Sequence, residues 1–276
     1  MIGIGEYNEL SILRQREPGL FLGDEQGDEV LLPNRYVPDR FQIGDKLRVF
    51  VYLDNEERPI ATTEEPFISK GEFALLRCSQ LTKFGAFLDF GLTKELFCPF
   101  KEQAFRMTSG QWYLVYCYLD EETGRLVASS KTKRFLNNDN LDLKKFDVVE
   151  VIISHPSDVG MYVIVNNKHL GLIHTNDLFK DVHVGDRYKG VVKKVRPDNK
   201  LDIVLEQIGY KSIEPNADKV LERLKANDGF LGLNDKSAPD DIKHQLQMSK
   251  KSFKKAIGHL YKLKQISITE EGISLN

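Results

Sequence analysis

Short apolar runs separated by turn residues occupy the first three quarters of the chain. In the middle of this region the runs are Phe73–Leu76, Ala86–Leu88, Leu96–Cys98, Trp112–Leu119 and Arg125–Ala128. Runs of this length, rich in aromatic and branched residues and bounded by Gly, Asp, Lys and Glu, predict β-strands. Five short antiparallel strands close most naturally as an OB-type barrel, so we expect one barrel here.

The same pattern occurs three times with identical internal spacing. Each copy has a glycine that opens an apolar run and a second glycine 25 residues later, in the pairs Gly19 and Gly44, Gly85 and Gly110, and Gly160 and Gly185. A repeat of about 65 to 75 residues is too long for a solenoid unit and indicates a small domain copied three times. We therefore predict three tandem five-stranded OB-type barrels, in residues 1–64, 65–143 and 144–212.

Helical spacing replaces strand alternation after Leu205. A first helix is predicted between a start signal at Pro215–Asn216 and a stop signal at Asp228–Gly229. Its expected apolar face consists of Val220, Leu221, Leu224 and Phe230. The face would pack against the remainder of this C-terminal region.

Two further helices and a hairpin complete the C-terminal region. Ser237 is expected to cap the second helix and Ser249 the third. The apolar positions of the third helix are Phe253, Ile257, Leu260 and Tyr261, and two extended runs, Ile266–Ile268 and Ile273–Leu275, follow it. Three helices and a terminal hairpin resemble a winged helix-turn-helix, which we predict for residues 213–276. The expected fold class is therefore mostly β with a C-terminal α+β domain.

Composition excludes several classes of protein. The 276 residues carry a net charge of −2, so any nucleic-acid site must come from locally segregated charge. Cys78, Cys98 and Cys117 form no CxxC pair and lie in apolar runs, which predicts buried free thiols rather than disulfides or a zinc site. No signal peptide, transit segment or long apolar stretch occurs, so we expect a cytoplasmic protein that does not associate with membranes.

Enzymatic signatures are missing from the sequence. No P-loop, dinucleotide fingerprint, metalloprotease helix or nucleophile elbow occurs. The six histidines do not fall at metal-ligand spacings with cysteine or paired acids. We expect a protein with no catalytic residues, no metal and no cofactor.

The repeated pattern resembles a known RNA-binding domain. Lys83–Leu88, Glu95–Pro99 and the later Gly110 are similar to the domain repeated in ribosomal protein S-one, and the third copy is similar in His169–His174 and Val184–Asp186. The first copy keeps the spacing but has Pro18 and Pro33 at two landmarks, so it is the most divergent. The resemblance implies single-stranded RNA as the ligand.

Single-stranded RNA binds to aromatic platforms with cations beside them, and the second copy provides these best. Phe84 and Phe87 alternate around a Gly-Ala step, Lys83 precedes them, and Arg125 begins the fifth strand near the same face. The alternative is that one phenylalanine lies in the core, because half of any strand points inward.

The third copy has more cations and fewer aromatic residues. Its candidate RNA-binding residues are Tyr162, His174, Lys193, Lys194, Arg196 and Lys200. The alternative for His174 is a structural, hydrogen-bonded role. In the first copy only Phe21 and Arg58 occupy comparable places, so it could serve mainly for packing or spacing.

The C-terminal region contains a local excess of lysine. From Ile242 to Thr269 there are seven lysines, Lys264 among them, and no acidic residue. Helical spacing places Lys250, Lys251, Lys254 and Lys255 opposite the apolar face, where a recognition helix meets phosphates. The alternative is an ordinary solvated helix face. The helix start lacks Arg, Asn and Gln, which disfavours base-specific readout.

Three such barrels followed by a winged helix resemble one family, the conserved virulence factor B proteins of Gram-positive bacteria. The resemblance implies an RNA-binding regulator that acts post-transcriptionally and is linked to virulence. Two alternatives stay open: a transcription regulator whose winged helix binds duplex DNA, and a scaffold that contacts the ribosome or polymerase.

Overall fold

The computed structural model describes residues 1–178, 181–205, 215–262 and 265–276. It contains two compact units, Met1–Glu206 and Gln207–Asn276. Within these described residues, the first unit holds three closed barrels, and the second holds three helices with a three-stranded sheet. The predicted boundary at residues 212 and 213 and the predicted cation Lys264 lie outside the described residues. The other domain boundaries stay a prediction.

Each barrel contains five strands in the same order. The first barrel consists of β1 (Glu6–Arg16), β2 (Gly19–Gly23), β3 (Glu29–Pro33), β4 (Lys46–Leu53) and β5 (Pro59–Thr62). The second consists of β6 (Phe73–Leu81), β7 (Gly85–Asp89), β8 (Leu96–Pro99), β9 (Trp112–Leu119) and β10 (Leu126–Ser129). The third consists of β11 (Val148–Ser157), β12 (Gly160–Val165), β13 (His169–His174), β14 (Arg187–Val195) and β15 (Leu201–Leu205).

Neighbouring strands are antiparallel except the third and fifth of each barrel, which pair in parallel and close it. A first strand that pairs with both the second and the fourth, as β1 does with β2 and β4, gives an OB-type barrel. The predicted fold class of the three copies is confirmed.

The first repeated glycine is required by a close backbone contact. A Cβ at Gly19, Gly85 or Gly160 would lie 2.0, 2.4 or 2.0 Å from a carbonyl oxygen of the neighbouring strand. No side chain fits at that distance, because the two backbones meet where the barrel bends. The close contact explains why the sequence repeats glycine at this position.

The three barrels are joined by shared apolar packing. Phe50 and Tyr52 of the first barrel belong to the same buried cluster as Leu76 and Leu88 of the second. A separate cluster joins Phe73 of the second barrel to residues of the third, chiefly Ile152 and Ile164. The outward faces of neighbouring barrels therefore contribute to the packing within this unit.

The three cysteines are buried free thiols, as predicted. Cys78, Cys98 and Cys117 are at most 1% exposed, and burial raises the pKa of Cys98 and of Cys117 to about 12. We expect a thiol reagent to leave the native protein unmodified at pH 8, because the thiolate is the reactive form. Absorbance titration should detect three thiols after denaturation in guanidinium. If native protein reacts rapidly with even one equivalent of the thiol reagent, this prediction is wrong.

The second unit is a winged helix. Its elements are α1 (Pro215–Lys225), β16 (Phe230–Leu231), α2 (Pro239–Leu246), α3 (Lys250–Lys262), β17 (Ile266–Ile268) and β18 (Ile273–Leu275), with β18 in the middle of the sheet. Val220, Leu224, Ile242, Phe253 and Ile257 form its core. The predicted three helices and hairpin are confirmed.

Local details of this unit differ from the prediction in three places. Phe230 is not on a helix face: it begins β16 and is 44% exposed, because positive φ at Asp228 and Gly229 turns the chain after α1. Tyr261 is 58% exposed rather than buried. Ser237 does not cap α2, because its hydroxyl instead accepts a hydrogen bond from the backbone amide of Asn234.

The predicted cap of α3 is confirmed, since the Ser252 amide donates to the Ser249 hydroxyl at 3.1 Å.

Candidate nucleic-acid interface

An interbarrel cleft of about 720 Å³ lies between the first two barrels. Four rings of the second barrel, Phe84, Phe87, Phe90 and Phe97, line it together with three cations, Lys83, Lys94 and Arg125. The first barrel contributes Tyr52, Leu53, Asn55 and Glu57. The cleft therefore brings together all four predicted residues of the second barrel.

Phe84 lies at the tip of the β6–β7 turn. The Thr82 amide donates to the Gly85 carbonyl at 2.8 Å, and this tight turn pushes the intervening side chains outward. Phe84 is 66% exposed, and the Lys83 ammonium lies 5.0 Å from its ring centroid. A ring exposed beside a cation can stack on a base.

Phe87 lies on the outward face of β7, between the buried Ala86 and Leu88. It is half-buried, and its ring centroid lies 5.0 Å from that of Phe97 on β8. The alternative of a core phenylalanine applies to neither ring, since Phe84 is exposed and Phe87 packs on Phe97 at the surface of the barrel.

Two of the three cations in the cleft contact partners from the first barrel. Arg125 Nε donates to Glu57 Oε2 at 2.6 Å, and Lys94 Nζ donates to the Asp54 carbonyl at 2.7 Å. Burial lowers the pKa of Lys94. The first barrel therefore positions two cations of the second as well as packing against it.

Two further residues that line the cleft, Phe97 and Lys94, are not among the residues predicted from the sequence. Phe97, like Leu31 and Leu172, lies 12 residues after the first repeated glycine of its copy, and this apolar position does not by itself indicate a site. Its place opposite Phe87 in the β7–β8 pair is the signal that could have identified it. Lys94 carries no such signal, because its partner Asp54 lies 40 residues earlier in the chain.

Tyr162 of the third barrel belongs to a second aromatic site. It stacks on His155, with centroids 4.8 Å apart and planes 24° apart, and the Lys133 ammonium lies 5.6 Å from its ring. Burial, with a smaller effect from the Lys133 charge, lowers the pKa of His155. His155 and Lys133 were not predicted, since neither occupies a position whose residue type recurs in the three copies.

His174 and Arg196 meet at a carboxylate. His174 Nε2 lies 3.0 Å from Asp202 Oδ1, and Arg196 Nη2 and Nε lie 2.7 and 3.0 Å from the two Asp202 oxygens. Burial favours a raised pKa for Asp202, but the hydrogen bonds from Arg196 and His174 outweigh it and lower that pKa. The hydrogen-bonded alternative for His174 describes this geometry.

The other cations of the third barrel do not converge on one site. Lys193 contacts both Asp177 oxygens at 2.7 Å, and Lys200 pairs with Asp198 at 2.7 Å. Lys194 is exposed on β14. In the first barrel, Arg58 pairs with Asp54 at 2.8 Å, and the Arg14 guanidinium lies 4.4 Å from the ring of Phe21.

The predicted lysines of the second unit lie along α3. Lys251, Lys254 and Lys255 are exposed, whereas Phe253 and Ile257 on the opposite face are buried. Lys250 is half-buried, and its ammonium donates to the Lys236 carbonyl at 3.3 Å. Lys254 lies 3.8 Å from Asp235. The helix therefore presents a cationic face of the kind that contacts phosphates.

The described ranges contain neither a group of metal-binding side chains nor a membrane-spanning helix. No three His, Cys, Asp or Glu side chains there are grouped to hold a metal ion. None of the helices in those ranges is both long and apolar enough to cross a membrane.

Family models match both parts of the chain. Residues 4–64 match the S1 domain, and residues 218–275 match the CvfB-like winged helix domain. The S1 match falls on the first barrel, the copy whose motifs are the most divergent. These families are nucleic-acid-binding domains rather than enzyme domains. The chain therefore has a multidomain nucleic-acid-binding fold with OB-type barrels, an S1 domain and a winged helix.

Relatives match over nearly the whole chain. Uncharacterized protein YitL of Bacillus subtilis is 28% identical, with 94% of this chain and 89% of the relative covered. Conserved virulence factor B of Staphylococcus epidermidis (strain ATCC 12228) is 25% identical, with 99% of this chain and 94% of the relative covered. The predicted resemblance is confirmed: the chain is a homologue of the conserved virulence factor B proteins.

One solved structure spans a similar length. It is the crystal structure of a multidomain protein with nucleic acid binding domains from Streptococcus pneumoniae TIGR4. The two chains are 24% identical, 99% of this chain and 98% of the other are covered, and the TM-score is 0.41.

Proposed function

We propose that this protein binds single-stranded RNA through its barrels and influences gene expression post-transcriptionally in the cytoplasm, without catalysing a reaction. The observation that carries the proposal is the interbarrel cleft, where Phe84 and Phe87 lie beside Lys83 and Arg125. Such an arrangement suits unpaired bases, because their faces are free to stack while the cations contact the backbone. A duplex hides its base faces and fits this cleft poorly.

The name of the relatives suggests a role in virulence, which we include in the proposal. The third barrel, through Tyr162, His174, Lys193, Lys194, Arg196 and Lys200, is proposed as an accessory RNA contact. Carboxylates of the third barrel already pair with several of these cations, so we assign the larger share of the RNA affinity to the cleft.

The winged helix supports a second candidate function. The exposed Lys251, Lys254 and Lys255 favour binding of duplex DNA through phosphate contacts, which would make the protein a transcription regulator. A third candidate function is that of a scaffold that binds a protein partner. This function is favoured if the protein binds neither single-stranded RNA nor duplex DNA.

The proposal is tested by titrating the full chain against labelled single-stranded RNA and a matched DNA duplex at about 0.15 M salt. We expect saturable RNA binding and much weaker duplex binding. Reversing the charge of Lys250, Lys251, Lys254 and Lys255 together should leave RNA affinity within about threefold, because the cleft is unchanged. Duplex-only binding that is lost in this variant contradicts the proposal and assigns the function to the winged helix.

A further inference from the structure

An exposed tryptophan lies near the interbarrel cleft. Trp112, the single tryptophan of the chain, begins β9 and is 59% exposed. Its neighbour along the strand, Tyr113, packs toward the core, so Trp112 projects from the outer surface of the second barrel. An exposed tryptophan is a large stacking surface that folding alone does not require.

A second cavity extends the cleft toward Arg77. This cavity, of about 560 Å³, continues from the cleft, and Asn55, Phe87, Lys94 and Glu95 line both. Its far end is lined by Arg77 and Asp89, which lie opposite each other in the β6–β7 pair.

Arg77 connects the second cavity to the tryptophan. It lies opposite Asp89 on one side and opposite Trp112 on the other, so three neighbouring strands carry one row of outward side chains. Two strand spacings of about 4.8 Å and one two-residue step of about 7 Å separate Trp112 from Phe87. The displacements across and along the strands are perpendicular and combine to a distance of about 12 Å. A few nucleotides span this distance, and an OB fold binds about 4 to 16 nucleotides.

The chemistry of the row fits bases better than a dense run of phosphates. Arg77 supplies one exposed cation at the strand position opposite Trp112, an arrangement that favours stacking and cation–π contact. The carboxylates of the second cavity already accept hydrogen bonds, Glu95 from Gln80 at 2.9 Å and Asp89 from the Gly91 amide at 2.9 Å.

We infer that Trp112 is a second base-stacking subsite and that the RNA strand runs from the interbarrel cleft past Arg77 to this ring. The inference rests on the proposed function, since it extends the same binding surface. Barrel two then contacts several nucleotides, with Phe84 and Phe87 at one end of the path and Trp112 at the other.

The single tryptophan makes the inference directly measurable. The full chain is titrated with a single-stranded oligouridylate of about 12 nucleotides, with labelled RNA for anisotropy and unlabelled RNA for tryptophan fluorescence. We expect quenching of Trp112 emission with the same midpoint as the anisotropy curve. Trp112→Ala should weaken binding by about 5- to 150-fold, the range for loss of one stacked base.

A matched variant controls for loss of any exposed ring beside a cation. Phe146 is 72% exposed, with the Lys145 ammonium 4.8 Å from its ring centroid, and it lies in the third barrel. Phe146→Ala should retain wild-type affinity. Anisotropy binding without quenching, or unchanged affinity in Trp112→Ala, overturns the subsite and leaves the proposed function in place. If the oligouridylate does not bind at all, the proposed function and the subsite fall together.

Discussion

Replacing Phe84 and Phe87 with alanine together is expected to weaken single-stranded RNA binding by about 30-fold or more. Each stacked base contributes about 1 to 3 kcal/mol, so two lost rings remove at least about 2 kcal/mol of binding free energy. Phe84 is 66% exposed, so its removal should barely change stability. Phe87 also packs on Phe97, and its loss should lower the free energy of unfolding modestly.

Anisotropy titration of the double variant measures the effect, and circular dichroism shows whether it is folded. The single variant Phe84→Ala separates stacking from packing, because Phe84 makes the smaller structural contribution. Wild-type RNA affinity in a folded double variant excludes the cleft as the binding site. Loss of affinity with intact thermal unfolding supports it.

Substituting Gly160 with alanine should destabilise the third barrel by about 3 kcal/mol or more. A Cβ there would lie 2.0 Å from the Ile173 carbonyl oxygen, and the residue has φ of +147°, which L side chains rarely adopt. Both strands must shift to relieve the contact, and such backbone strain is among the most costly effects of one substitution. Urea unfolding followed by circular dichroism measures the loss.

Gly258→Ala is the matched glycine control. Gly258 lies within α3, and a Cβ there would meet nothing within 4 Å. Alanine should therefore stabilise the winged helix by about 0.5 to 1 kcal/mol, since glycine costs helix stability. If Gly160→Ala changes stability no more than this, close backbone contact is not the reason for the repeated glycine.

Local structure could be predicted from the sequence because its causes are local. The repeated glycines mark the bends of the barrels, and alternation along the strand places Ala86 and Leu88 on the inward face. The cap at Ser249 follows from residue type and spacing alone. The error at Phe230 has a local cause as well, since the turn at Asp228 and Gly229 interrupts the helical spacing.

Contacts between barrels could not be predicted in the same way. The apolar run that begins at Phe73 predicts a strand, but it does not show that Ile152, from another barrel, packs against Phe73. The partner of Arg125 is Glu57, 68 residues away, and nothing in the local pattern of either residue points to the other. The cleft depends on such pairs, which explains why Phe84 and Phe87 could be predicted, whereas Phe97 and the wall from the first barrel could not.

The apolar packing between barrels also determines how the protein can be divided. A fragment that ends after the second barrel leaves Phe73 and Leu114 without Ile152 and Ile164, and a fragment that begins with it removes Phe50 and Tyr52 from the cluster around Leu76. Each cut exposes large apolar side chains to water and invites self-association. Residues 1–205 are therefore the smallest fragment suited to crystallisation or to transfer into a fusion protein. Weak RNA binding by a single excised barrel would reflect the loss of its packing partners rather than the absence of a binding site.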